Sequence, residues 1–490
     1  MGGLVAGTYA SGMTPAEIRE LMRATDWDVM FLSDSPFRYK TFRRKQDKRA
    51  YPAQLEFGLK GGFRLPGGLN PGQQVALLLD RIAAPYPELT TFDDLPTAFR
   101  CVATDLRNGE SVVLGRGSLS QAMRATMAIP GMFTPVNYDN WLLVDGGVLN
   151  NIPADVVRDM GVDVVIAVNV GADEASEQTT QSLFGLLGKT IDTMMSTGTR
   201  KALASADLVI DPDLTGLGSM DWRRSDELAA RGVIASQAKA DALLRYGLDA
   251  AAHAQFIAAR QARRRTSLPT LTFIEARGAL GDLPPALTQM IEREFAAEVG
   301  RPMDIGRVTD DVLAVAGMDR FEYLTYRTIE RDGRAGLLIG ARPKSYGPPF
   351  LALNVEMSNI DASNFAVNFG GRLTTYDVIG KGSEGRLDVG IGTQQVASGE
   401  LYRPFGTTGL FVARARTTTG TGVTARRCHS FIRRFLRFTQ IEPIGAPGRA
   451  RLQRCVASGS ERREKELGLS LPLATHRCRP CRYAARRPIG

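Results

Sequence analysis

The feature that most constrains the fold is the run LLVDGGVLNNIPADVVRDMGVDVVIAVNVG at residues 142–171. It predicts a strand ending at Asp145, a sharp turn through Gly146 and Gly147, a helix, and a second, apolar and β-branched strand of the buried parallel type. Strands that alternate with helices are typical of α/β folds with helices on both faces of the sheet. Ligands of such sheets bind at the carboxyl ends of strands, so Asp145 is the first candidate functional residue. We therefore predict a three-layer α/β/α domain.

The neighbouring segments carry local signals of helices and turns. Residues 101–114 predict two strands around an Asn-Gly turn. Ser118 is placed to cap a helix, and Thr14 with Glu17 forms a capping box for another. From residue 182 to residue 260 the chain is helical in pattern and rich in alanine.

The second half of the chain changes character twice. Residues 270–345 predict a compact βααββ unit with a hairpin turn at Asp332-Gly333. After Pro349 the apolar period becomes two, as in the strands of about ten residues that build outer-membrane β-barrels. Only four or five such strands fit before Arg416, whereas a closed barrel needs at least about eight. We expect an incomplete antiparallel β-barrel.

The excess basic charge is confined to one end of the chain. The whole chain carries a net charge of +9, but residues 417–490 hold 16 basic and four acidic residues and are +12, so residues 1–416 are mildly acidic at −3. The overall charge is therefore no evidence for a nucleic-acid partner of the folded part, and we expect none.

The basic tail has three interpretations. A shifted reading frame would produce its composition, and this is the interpretation we favour. Its arginines could instead bind nucleic acid or anionic lipid headgroups. Its cysteines and histidines could bind zinc, although their spacing fits no compact finger. The candidate ligands are Cys428 and His429 with His476, Cys478 and Cys481.

Three segments together resemble the patatin-like phospholipase family: residues 142–171, AMRATMAIPGMFTPV at residues 122–136, and CVATDL at residues 101–106. The βααββ unit resembles a POTRA domain, and the period-two strands resemble a surface-antigen barrel. This order is similar to that of patatin-type outer-membrane proteins. The resemblance implies hydrolysis of phospholipid carboxylic esters at the outer membrane, with no metal ion or cofactor.

The resemblance divides the chain into five regions. They are a patatin-like hydrolase domain, a helical extension with linker, a POTRA-like domain, a partial β-barrel and the basic tail, at residues 1–205, 206–269, 270–346, 347–416 and 417–490. The first residues lack the charged and apolar regions of a signal peptide. The sequence has no run of 18 or more apolar residues, so it predicts no transmembrane helix.

The resemblance also implies the catalytic groups. Asp145 of the Asp-Gly-Gly motif would partner a serine in a G-x-S-x-G elbow, and a glycine-rich loop would form the oxyanion hole. Residues 1–252 contain no histidine, and His253 lies in the alanine-rich helical stretch. A carboxylate acting as base to the serine is therefore simpler than a Ser-His-Asp triad. Asp105 and Asn150 are candidate supports for the Asp145 loop, although strand-end and turn roles are favoured for both.

The printed sequence contains only the end of that elbow. Met1 falls on its fourth position and Gly2 on its closing glycine, so the serine position precedes Met1. We expect residues 1–490 to be an inactive fragment with a misassigned start. Gly61-Gly62 imitates the oxyanion loop but lies downstream. The nearest serines carry signals of helix ends rather than of nucleophiles; they are Ser11, Ser118 and Ser120.

A non-catalytic role is the alternative. The α/β region would then be vestigial, and the POTRA-like unit would bind partner proteins by strand addition at an exposed sheet edge.

Overall fold

A computed structural model gives this chain both helices and strands, and after residue 320 the described elements are all strands. The structure describes residues 2–30, 35–51, 55–65, 70–171, 198–218, 221–279, 281–361, 364–392, 394–405, 409–420 and 436–437. In chain order, helices α1 to α13 are Gly2–Ala10, Pro15–Ala24, Trp27–Met30, Phe42–Ala50, Gln73–Ala83, Leu119–Thr126, Ala154–Asp159, residues 198–204, Ser225–Gln237, Ala240–Leu244, Ala250–Arg263, Pro285–Glu294 and Ile305–Ala316. Strands β1 to β16 are Leu55–Gly58, Cys101–Asp105, Glu110–Leu114, Val136–Tyr138, Trp141–Asp145, Ile166–Val168, Leu208–Ile210, Phe273–Gly278, Phe321–Arg331, Arg334–Pro343, Phe350–Asp361, Asn364–Tyr376, Glu384–Gly392, Gln394–Phe405, Gly409–Gly420 and Leu436–Arg437.

The first sheet has four antiparallel strands in the order β3-β2-β5-β4. Tight turns explain the direction of the β2–β3 and β4–β5 pairs, because a connection of a few residues can only join antiparallel neighbours. Gly109 in the β2–β3 turn and Asp139 in the β4–β5 turn both have positive φ. The parallel pairing expected of an α/β sheet occurs between β6 and β7, which form a separate two-stranded sheet. The mixed α/β class is thus confirmed, with more antiparallel pairing than we predicted.

The core of this region lies between the four-stranded sheet and helices α1, α5 and α6. Its fully buried members include Leu79, Phe92, Met123 and Leu143. The amphipathic pattern of α6 explains why this helix packs against the sheet, and α5 packs against α6 with Leu79 in the same core.

The strand predicted within residues 162–171 is present, but the prediction that it is buried on both faces is wrong. In β6 only Ala167 is buried, whereas Ile166 is 43% exposed and Val168 is 54% exposed. Among the described residues β6 pairs with β7 alone, so its other edge has no strand partner there.

Residues 273–343 contain β8, α12, α13, β9 and β10 in that order. Their sheet has the order β8-β10-β9, with β10 parallel to β8 and antiparallel to β9. The hairpin turn predicted at Asp332-Gly333 is present, and both residues have positive φ. A second core fills the space between this sheet and its two helices. The assignment of this unit to the POTRA family stays a prediction.

The third sheet is antiparallel and has the order β1-β11-β12-β13-β14-β15-β16. Five strands, β11 to β15, lie where the sequence predicts four or five period-two strands, and β15 continues to Gly420. The first strand comes from far away in the chain, since Leu55 of β1 pairs with Leu353 of β11. Within the described residues the sheet does not close on itself. None of the described helices combines the length and apolar content needed to cross a bilayer.

Candidate active site

Asp145 lies at the end of β5, where the chain turns sharply. Residues Gly146–Val148 form one turn of 3-10 helix, and the Asp145 side chain caps it by accepting the Gly147 N–H at Oδ1, 2.8 Å away. The backbone N–H of Asp145 donates to the carbonyl of Ala128, 3.0 Å away, in the segment after α6. Asp145 is therefore held by its backbone N–H and by Oδ1, while its side chain stays partly accessible.

Gly146 lies too close to β2 for any other residue. A Cβ placed on it would stand 2.2 Å from the carbonyl oxygen of Val102 and 2.5 Å from the carbonyl carbon. Both atoms are backbone atoms of an interior strand, so no side-chain movement can make room. The first glycine of the motif is thus required by packing of the turn against β2.

The N-terminal turn of α1 contacts the same part of β2. A Cβ on Gly3 would meet the Thr126 side chain at 2.5 Å and the Cys101 Cβ at 3.3 Å. Thr126 in turn donates its hydroxyl to the Val102 carbonyl over 2.7 Å. Both Gly3 and Gly146 therefore approach residues 101–102, so the start of α1 and the Asp145 turn lie at one end of β2. Sequence reasoning missed the linking role of Thr126, although it lies in the motif at residues 122–136.

The two candidate supports have local structural roles. Asp105 is buried, and its Oδ1 accepts the backbone N–H groups of Leu142 and Arg107 at 2.9 and 3.2 Å. Asn150 donates its side-chain amide to Asp155 over 3.0 Å. Neither side chain has a hydrogen bond to Asp145 among the described residues.

The downstream serines are engaged in helix structure, as expected. The Ser11 hydroxyl donates to the Thr8 carbonyl over 2.8 Å, and Ser118 caps α6 by accepting the Gln121 N–H. Ser120 is buried in the first turn of α6 beside Ser118.

The other candidate nucleophiles, bases and loops either lie away from the Asp145 turn or are chemically unsuited to it. Burial raises the pKa of the Cys101 thiol to about 12, which disfavours the reactive thiolate. His253 is exposed on α11. The Gly61-Gly62 turn follows β1, where the Lys60 N–H donates to the Tyr346 carbonyl, so it belongs to the C-terminal region and not to the Asp145 turn.

Two groups of predicted residues lie outside the described residues. They are Met1 and the cysteines and histidines of the tail. Within the part of the chain that the structure describes, no three His, Cys, Asp or Glu side chains are grouped in a way that could hold a metal ion.

The fold and the site define a mixed α/β domain with an Asp-Gly-Gly turn at a strand end, beside the N-terminus of a helix. Residues 1–158 match the family described as Patatin-like phospholipase, and we identify this segment as a patatin-like phospholipase domain.

Curated relatives show the same similarity. An uncharacterized NTE family protein of Mycobacterium tuberculosis is 28% identical over 207 residues, which cover 36% of this chain and 34% of that protein. An uncharacterized NTE family protein of Mycobacterium bovis gives the same values. Patatin-like phospholipase domain-containing protein 7 of Mus musculus is 39% identical over 89 residues, 18% of this chain and 7% of that protein. The chain thus spans about a third of the length of the mycobacterial relatives.

Proposed function

We propose that the patatin-like domain is the core of a lipid acyl hydrolase that cleaves carboxylic esters of phospholipids. Asp145 is its general base, and the nucleophile is a serine directly before Met1, where the family pattern places it. The observation that carries this proposal is that the start of α1 and the Asp145 turn lie at the same end of β2. On this proposal, the residue that leads into α1 lies at the side of the Asp145 carboxylate.

The geometry of Asp145 suits the role of a base. Its Oδ1 is held by the Gly147 N–H, and within the described residues Oδ2 has no hydrogen bond, so it can accept a serine hydroxyl. In the first step the serine oxygen adds to the ester carbonyl carbon while its proton passes to Asp145. Backbone N–H groups stabilise the oxyanion. The leaving alcohol takes the proton, and water then hydrolyses the acyl-serine to release the fatty acid.

An extension experiment tests this dyad. Residues 1–490 would be expressed alone and with an upstream segment that supplies a first strand, a glycine-rich loop and the Gly-x-Ser half of the elbow. We expect ester hydrolysis only from the extended chain. Asp145→Asn should lower its kcat/KM by about 10²- to 10⁴-fold, because the base is lost and the shape is kept.

The matched control is Asp159→Asn, which changes an exposed carboxylate on α7. It should leave activity unchanged. Undiminished activity in the Asp145→Asn chain, or activity that survives serine-to-alanine replacement in the elbow, contradicts the dyad.

We further propose that the third sheet contacts a membrane, which by family resemblance is the outer membrane. One face of β11 to β13 presents apolar side chains that are 39–66% exposed: Leu353, Val355, Met357, Phe369, Leu387, Val389 and Ile391. The opposite face carries paired charges and is covered by α4. Arg372 bonds Asp388 across the strands at 2.6 Å, and Asp47 of α4 binds both Arg372 and Arg386. An exposed face of apolar side chains, with the charges on the face that α4 covers, suits contact with lipid hydrocarbon better than contact with water.

A further inference from the structure

Helix α5 of the patatin-like domain lies along the outer edge of β9. The Gln73 side-chain amide makes two hydrogen bonds of 2.7 Å with Leu324, donating from Nε2 to its carbonyl and accepting its N–H at Oε1. Two turns further along the same face of the helix, Asp80 accepts the N–H of Tyr326 at Oδ2, 2.9 Å away. At the end of the helix, the Thr328 hydroxyl donates to the Ala84 carbonyl over 3.0 Å.

These contacts replace a neighbouring strand. In a sheet of order β8-β10-β9, one side of β9 has no strand partner, and an edge of this kind exposes unpaired backbone groups. Gln73 and Asp80 satisfy three of them at Leu324 and Tyr326. The edge at these two residues is therefore closed to the strand addition considered in the non-catalytic alternative.

The same helix joins two hydrophobic cores. Leu79 of α5 belongs to the core of the patatin-like domain, whereas Leu77 and Ala84 belong to the core of the three-stranded unit. The contact between α5 and β9 is thus one place where the two cores meet. Any change in its strength changes the coupling of the two units.

Asp80 is the titratable group at the centre of this contact. It is only 3% exposed, and burial raises its pKa to about 7, although the Tyr326 N–H, the Ser120 hydroxyl of α6 and the positive charge of Arg327 act in the opposite direction. Two other charged groups lie nearby. Arg81 is on α5 itself, and its positive charge acts to lower the pKa of the Tyr326 hydroxyl. Glu88 pairs with Arg327 at 2.9 Å. No described carboxylate other than Asp80 accepts a backbone group of β9's outer edge.

We propose that the contact between α5 and β9 is a pH-dependent latch that joins the patatin-like domain to the three-stranded unit, closing on acidification and opening above neutral pH. The sign follows from burial of the carboxyl. Its neutral form is favoured in the closed state and its charged form in an open, hydrated state, so closure binds a proton. Opening would free the Leu324 and Tyr326 groups at the β9 edge.

Hydrogen exchange of the β9 amides tests the latch in the full chain. With a pKa of about 7 when closed and an ordinary carboxyl pKa when open, the closing equilibrium should weaken about tenfold between pH 6 and pH 8. Protection of the Leu324 and Tyr326 amides, corrected for intrinsic exchange, should fall by that factor. Asp80→Asn keeps an acceptor for the Tyr326 N–H and cannot ionise. In this variant the protection of the Leu324 and Tyr326 amides should therefore be the same at pH 6 and pH 8.

Gln73→Ala is the matched variant, because it removes the neutral pair of hydrogen bonds from the same helix and strand. It should lower protection at both pH values and retain the tenfold dependence. The latch is refuted if wild-type protection is the same at pH 6 and pH 8, a result that needs no variant to fold. It is also refuted if Asp80→Asn keeps the wild-type dependence. Neither result depends on hydrolase activity, so the latch and the proposed function are tested separately.

Discussion

Replacement of Gly146 by alanine should disturb the Asp145 turn. The added Cβ would stand 2.2 Å from the Val102 carbonyl oxygen, whereas real Cβ contacts below 3.0 Å essentially do not occur. Val102 cannot retreat, because its carbonyl also accepts the Thr126 hydroxyl and its strand is flanked by β3 and β5. The turn must therefore move by about 1 Å.

The size of the effect follows from this displacement. Crowding of one methyl group into packed surroundings costs about 1–3 kcal/mol, which corresponds to about a 5- to 150-fold increase in local opening. In the extended, serine-containing chain, a shift of about 1 Å in the Asp145 carboxylate should lower the rate by about 10²-fold. Stability and rate should thus fall together.

Hydrogen exchange of peptides from residues 101–105 and 141–148 measures the local opening, and ester hydrolysis measures the rate. Gly232→Ala makes the same substitution in α9, where the new Cβ has no atom within 4 Å. It should stabilise that helix by up to about 1 kcal/mol, since alanine is the better helix former. If Gly146→Ala exchanges no faster than wild type at residues 141–148, our account of the glycine is refuted.

The third sheet yields two further predictions. Asp47→Ala removes a carboxylate that binds Arg372 at 2.6 Å and Arg386 at 3.0 Å, and it should destabilise the packing of α4 by about 3–5 kcal/mol. Faster proteolysis of α4 would measure this loss. Unchanged cleavage would show that these ion pairs do not hold the helix. Val389→Lys, on the apolar face, should weaken insertion into phospholipid vesicles by about 2–4 kcal/mol, whereas Ile234→Lys on exposed α9 should not. Equal behaviour of the two lysine variants would argue against contact between the sheet and lipid.

Much of the local structure was predictable from neighbouring residues. The capping box at Thr14 and Glu17 is present, with the Thr14 N–H donating to Glu17 and the Glu17 N–H donating back to the Thr14 hydroxyl oxygen. Ser118 caps α6 as expected. Asp145 lies at a strand end followed by a glycine turn. Each of these features is formed by residues at most four positions apart, so the sequence contains all of the groups that decide it.

The location of the candidate site was less predictable than its residues. The sequence pattern selected Asp145 and the two glycines behind it. It did not show that Gly146 is required by the Val102 carbonyl, or that Thr126 joins α1 to the same strand. These relations depend on which strands become neighbours, and the four-stranded sheet pairs β2 with β5 across 40 residues of chain.

The sequence by itself determined the α/β pattern of the first region, the Asp-Gly-Gly turn and the alternating strands of the last region, because local backbone preferences and apolar periods are written in consecutive residues. Only the tertiary structure decided that β1 joins the third sheet, that α4 covers its charged face, and that α5 closes the edge of β9. Those outcomes depend on partners about 250 to 325 residues away. Asp80 shows the physical reason: an ordinary acidic residue of an amphipathic helix acquires its raised pKa only when β9 and α6 remove it from water.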